Sequence, residues 1–248
     1  MEIIAVWFSC GAASAVAAKK TIEIYGKSHI IRVLNNPVKE EHEDNIRFKN
    51  DIEKWLGVPI ESVINPSYPS CSIEDVFEDR QFMSGPKGAP CTMLLKKEAR
   101  RKWEMTNHTD YHVLGFTYDE KNRFDRFAKE RPNTIPVLID LGITKADCFM
   151  ILSEEGIPIP EIYKLGYPNA NCIGCVKATS PTYWNHVRKQ HPEVFIRRAE
   201  QSRDIGAKLV RYKNERIYLD ELPLNATGRP MKDINFECGI FCGSFESD

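Results

Sequence analysis

The 248-residue chain is 42% hydrophobic and 28% charged, which excludes a disordered or fibrous polymer. Its formal net charge of −1 gives no electrostatic case for nucleic acid beyond a local basic patch. The apolar start Ile3–Phe8 is too short for a signal peptide or a membrane span, and no other stretch crosses a bilayer, so a cytoplasmic protein without a membrane partner is expected.

Residues 3–8 read as a strand buried on both faces of a parallel sheet. The small-residue run Ser9-Cys10-Gly11-Ala12-Ala13-Ser14 follows, and then the helical pattern Ala15–Lys20. Strand, small loop and helix can aim backbone N–H groups and a helix N-terminus at a phosphate; a tight turn that merely needs small side chains reads the same way. His29–Leu34 is a second strand. Glu43–Leu56 is an amphipathic helix with Ile46, Phe48, Ile52 and Trp55 on its apolar side, stopped by Gly57.

Residues 58–90 give weaker signals: a short strand ending near Val63-Ile64, a loop at 65–70 and a second loop at 84–90. The second loop delivers Cys91-Thr92 to a basic helix carrying Lys96, Lys97, Arg100, Arg101 and Lys102, either a solvated face or the lining of an anionic site. Tyr111–Phe116 is a further strand. Its exit, Thr117–Phe127, falls at the carboxyl edge of the sheet, where open α/β folds bind ligands, and Arg123 and Arg126 share a face if that segment is helical.

A helix is expected from Thr144 to Glu155, ended by Gly156. Pro158, Pro160 and Pro168 then lead an extended passage into Cys172-Ile173-Gly174-Cys175. Two helices, Pro181–Lys189 and Pro192–Arg203, break at His191-Pro192, and 209–219 reads as a β-hairpin. The chain closes on Cys238 and Cys242, three residues between them. The expected organisation is a nucleotide-binding α/β core over 1–165 and a helical and hairpin extension with cysteine pairs over 166–248, or the two as one continuous domain.

Eight cysteines in a chain with no export signal read as metal-binding or catalytic thiols rather than disulfides. The C-x-x-C pair can grip one soft centre from a single turn, with Gly174 relaxing the backbone. Zinc and an iron–sulfur cluster both remain open. Cys10, Cys71 and Cys148 carry no spacing signal, and Cys71 and Cys148 read as core or surface thiols. The histidines do not pair at a metal-ligand spacing; His186 and His191 flank a helix break and read as solvated or core side chains.

Taken together, these segments resemble the adenine-nucleotide α-hydrolase-like (HUP) superfamily, and within it the sulfonucleotide reductases, which reduce adenylyl sulfate or phosphoadenylyl sulfate. The layout is also similar to reductase-like proteins of phages and prophages. Ser9–Ser14 stands where that family has its PP-loop, S-G-G-x-D-S. Glu43–Phe48 resembles the acidic-to-Arg-Phe segment after the second strand, and Cys91-Thr92 with Lys96 resembles a Cys-Cys followed by a basic residue. Cys172 and Cys175 match the later C-x-x-C, Gly115 to Arg126 the Gly-Arg segment at the nucleotide, and Glu237-Cys238-Gly239-Ile240 the tail that carries the nucleophile. Ala13 replaces the PP-loop aspartate, Thr92 the second cysteine and Phe241 the tail histidine, while Cys242 is extra.

The resemblance implies an α/β fold with a mostly parallel sheet flanked by helices, and a C-terminal cysteine-bearing extension. It implies nucleotide binding by Ser9, Cys10, Gly11, Ala12, Ser14, Lys96, Gly115, Arg123 and Arg126. It implies a 4Fe-4S cluster on Cys91, Cys172, Cys175 and Cys242, with Cys238 as nucleophile and a thioredoxin-like reductant. If Cys238 is itself a ligand, an ATP-dependent sulfurtransferase that thiolates a nucleobase or nucleic acid is implied instead. A zinc-stapled nucleotide-binding module is the third expectation, and a homo-oligomer is compatible with all three.

Overall fold

The computed structural model describes residues 1–86 and 88–231. They divide into two compact units that the chain enters more than once. One comprises 1–37, 43–63 and 101–161; the other comprises 38–42, 64–100 and the chain from 162 onward. The division is not the sequential one expected at residue 165, because segments 38–42 and 64–100 pack with the cysteine-bearing region and leave the sheet.

The first unit is an α/β layer structure. Its strands are β1 (Ile3–Trp7), β2 (Ile30–Asn35), β3 (Ile60–Ser62), β4 (Tyr111–Val113) and β5 (Thr134–Ile135), all parallel in the order β3-β2-β1-β4-β5. Ile4, Ala5 and Val6 in β1 are fully buried, as a central parallel strand with both faces covered requires. Its helices are α1 (Ala12–Tyr25), α2 (Asn45–Leu56), α5 (Lys121–Glu130), α6 (Val137–Asp140) and α7 (Lys145–Glu154). The inward stripe of α2 is Asn45, Phe48, Ile52 and Leu56, at three- and four-residue steps. Ile46 falls off that stripe and is exposed, which corrects its expected place on the apolar side. Gly57 ends α2 in the left-handed region with φ 69°. Thr144 caps α7 through a capping box with Asp147.

The second unit holds α3 (Ile73–Arg80), a π-helical stretch Thr92–Glu98 that runs into α4 (Ala99–Glu104), α8 (Glu161–Lys164), α9 (Pro181–Gln190), α10 (Pro192–Ile205) and the antiparallel hairpin β6 (Val210–Tyr212) with β7 (Glu215–Ile217). α4 and α8 each straddle the boundary between the units. The core joins Phe77, Met83 and Leu95 to Tyr183, Trp184, Val187, Phe195 and Leu219. Glu40 ties its early segment in: the carboxylate accepts from Ser72 Oγ at 2.6 Å and Ile73 N at 2.9 Å, and its carbonyl from Ile173 N at 3.0 Å. A carboxylate at the start of α3 also suits the helix dipole.

Candidate functional site

The strand order reverses between β1 and β4. In parallel α/β sheets the crevice at the carboxyl ends of such a pair is where ligands lodge. The segment leaving β1 turns on Cys10, a non-glycine residue at φ 56°, and enters α1 through Gly11. Residues 12–14 are therefore the first turn of α1, and the helix begins three residues before the expected Ala15. No side chain caps Gly11, which leaves the first-turn N–H groups of α1 directed out of its N-terminus. Ser14 closes the turn from within: its hydroxyl donates to Gly11 O at 2.8 Å and accepts from Ser9 N at 3.1 Å. Asn35, at the end of β2, holds the other side, donating to Phe8 O at 2.9 Å with Cys10 Sγ at 3.8 Å.

Gly115, just beyond β4, lies directly on this turn. A Cβ there would stand 2.7 Å from Ser14 N and 2.9 Å from Ala13 C and Ser14 Cα. Only glycine permits that approach. The structure thus brings Ser9, Cys10, Gly11, Ala12, Ser14 and Gly115 together at one switch point. Arg123, in α5, packs on the Phe116 ring at 5.0 Å and pairs with Glu120. Arg126 is exposed on the same helix. Arg47 of the Glu43–Phe48 segment is bound up in holding the fold. It pairs with Asp44 and Asp51 and donates to the carbonyls of Pro158 and Ile159. Its pKa is raised, chiefly by the Asp44 hydrogen bonds.

Lys96 belongs to the second unit, where it is buried and pairs with Glu41 at 3.3 Å, both side chains 8% exposed. Lys97 and Arg100 are buried in the same unit. These three are therefore not part of a solvated face, whereas Arg101 of the same run is exposed. A π-helical stretch is also a recurrent feature of functional sites.

Cys91, Cys172 and Cys175 belong to one buried cluster of the second unit, 8%, 7% and 5% exposed. Gly174 makes the turn between the later two at φ 69°. Cys175 N donates to Tyr183 Oη at 2.9 Å, and Ala178 N to Cys175 O at 3.0 Å. Burial, and then the neighbouring Cys175, push the Tyr183 phenol far up, so it serves as a neutral acceptor. Among the described residues, no three His, Cys, Asp or Glu side chains are gathered to hold a metal ion. Cys238 and Cys242 lie outside the described residues.

Three residues that sequence reasoning passed over frame these sites. Asn35 and Glu40 gave no motif. Arg198 did leave a trace: it occupies the inward stripe of α10 with Phe195, Ala199 and Ser202, where an apolar residue is due. Cys148 is fully buried and its thiol is pushed up to about 12, mainly by burial, as suits an inert core thiol. No helix among the described residues is long and apolar enough to cross a membrane. No family model matches the chain, and no curated protein matches it.

Proposed function

We propose that this chain is a cytoplasmic adenine-nucleotide enzyme of sulfur chemistry, a sulfonucleotide reductase-like member of the adenine-nucleotide α-hydrolase-like class. The observation that carries the reading is the burial of Cys91, Cys172 and Cys175 in one core, inside a unit that also buries Lys96, Lys97, Arg100 and Arg198. Cysteine thiols are soft donors, and thiolates that share a centre need a cation to offset their charge. That donor chemistry fits an iron–sulfur cluster on Cys91, Cys172 and Cys175, with Cys242 as the fourth ligand. When bound, the cluster would supply fixed local charge. The strand order β3-β2-β1-β4-β5 and the Gly115 approach support an adenosine nucleotide at the first unit's switch point.

The chain's own residues then act as follows. First-turn N–H groups of α1, with Arg123 and Arg126, hold and neutralise the phosphosulfate. The Cys238 thiolate attacks the sulfate sulfur, and the bond from sulfur to the bridging oxygen breaks. The adenosine phosphate leaves with that electron pair, and the enzyme keeps an S-sulfonate. A thiolate of a thioredoxin-like dithiol attacks Cys238 Sγ and releases sulfite. Its second thiolate frees Cys238, so the dithiol supplies both electrons.

Anaerobically purified protein should show broad visible absorbance with bound iron and sulfide. It should release sulfite from adenylyl sulfate or its 3′-phosphorylated form when given thioredoxin. Colourless protein with stoichiometric zinc would replace this reading with the stapled module. Release of adenylate only with ATP and a nucleic acid would replace it with sulfur transfer.

A further inference from the structure

Arg198 is 1% exposed, the least exposed among the buried lysines and arginines of the described residues. Its surroundings satisfy only part of it. Nη1 donates to Gln201 Oε1, and Nη2 stands 3.8 Å from Glu74 Oε1, an ion-pair distance without a hydrogen bond. Nε and Nη2 have no hydrogen-bond partner in the structure. The guanidinium carbon lies over the Phe77 ring, 5.2 Å from its centroid, a contact that uses none of its N–H groups.

What it stands against is the turn between Cys172 and Cys175. A Cβ on Gly174 would lie 4.0 Å from Arg198 Nε, 3.0 Å from Val194 Cγ1 and 3.7 Å from Trp184 Cζ3. Glycine at 174 therefore answers two demands, a left-handed φ and the close approach of Val194, while the arginine lies at ordinary contact distance. Burial lowers the Arg198 pKa, while the charges of Glu74, Glu40 and Cys172 work to keep the group protonated. A buried cation with unspent donors beside the Cys172–Cys175 turn is arranged for a negatively charged occupant of that turn.

We propose that Arg198 is the fixed counter-charge of the Cys172–Cys175 centre, a positioning residue whose free N–H groups bond to sulfur of the loaded centre and raise its reduction potential. The role rests on the iron–sulfur reading above. Hydrogen bonds to the sulfurs and net local charge are what the protein uses to set such potentials.

The test is a redox titration of the wild-type protein and of R198K and R198Q, each with iron and sulfide analysis and circular dichroism. R198Q should keep its fold and take a midpoint potential clearly more negative than wild type, while R198K stays near it. Loss of the cluster from R198Q alone, with R198K loaded, supports the same role. An R198Q potential equal to wild type overturns the inference and leaves the iron–sulfur reading standing. So does loss of the cluster from both folded variants, since charge is then not what matters. If R198Q does not fold, E74Q decides: releasing the guanidinium from Glu74 should move the potential positive, and no movement overturns the role. A wild-type protein without iron refutes the underlying reading, and this inference falls with it.

Discussion

Gly115→Ala is the sharpest probe of the switch point, because the clash it creates is with backbone alone. The added methyl would sit 2.7–2.9 Å from Ser14 N, Ser14 Cα and Ala13 C, distances that no rotamer change relieves. Either β4's exit or the first turn of α1 must move. Overpacking of this kind costs about 1–3 kcal/mol. That lies within the stability of a chain this size, and it lowers Tm by roughly 2–4 °C for each kcal/mol. The same shift misaligns the first-turn N–H groups. Each charge-assisted bond lost to a phosphate is worth about 1.5–3 kcal/mol, so one such loss weakens nucleotide binding about 10- to 150-fold. Calorimetric titration of folded Gly115→Ala and wild type with adenosine 5′-phosphate and adenylyl sulfate reads this directly. Equal affinities in a variant whose Tm has dropped would show that the turn moved and no nucleotide was there to notice.

Cys172→Ser and Cys175→Ser should each lose most bound metal, whereas Cys148→Ser should keep it; metal retained in both of the first two would remove the pair from the ligand set. Native Cys148, with its thiol near 12 and no exposure, should resist iodoacetamide at pH 8 and react fully in denaturant; mass spectrometry showing labelling of the native protein would contradict its burial. The hydrogen bond from Arg32, aided by its charge, holds Glu61 below the ordinary carboxylate range. A depressed carboxylate contributes stability above its unfolded pKa, about 4.3, and loses it as pH falls through the lower folded value. Glu61→Gln should therefore flatten the acid limb of a urea-midpoint profile below about pH 4.3, and an unchanged profile would mean the pair does not couple to folding.

Legibility in the sequence followed local pattern. β1, β2 and β4 announced themselves as apolar runs, and α2, α7, α9 and α10 through period, caps and the prolines at Pro181 and Pro192. β3, three residues long, registered only as a short strand ending near Val63-Ile64, and β5, two residues long, is too short for any alternation to register. α3 escaped although Ser72, whose hydroxyl accepts from Glu74 N and Asp75 N, stands three residues before an acid in the pattern of a helix start. The return of 38–42 and 64–100 to the cysteine-bearing unit was invisible, because nothing local in those segments encodes which partner they meet. At the candidate sites, residue types at the turn and in the C-x-x-C were legible. The Gly115 approach and the guanidinium beside Gly174 were not, since both depend on pairs distant in sequence.

The basic run after Cys91 shows why charge alone misleads. Read as an α-helix, Lys96, Lys97, Arg100, Arg101 and Lys102 would spread around the axis, and a solvated face would be the ordinary outcome. The π-helical stretch opens the turn, so residues four and five apart come to one side, and Thr92, Lys96 and Lys97 are buried together with Arg100 beyond them. Glu41 answers Lys96, and Glu74 stands at ion-pair distance from Arg198. The same unit buries three thiols, groups that become anionic on binding a metal. Buried cations gain little from neutral thiols in the same unit. Under the proposed ligation the thiols are thiolates, and buried cations in the same unit would favour that form over the neutral one.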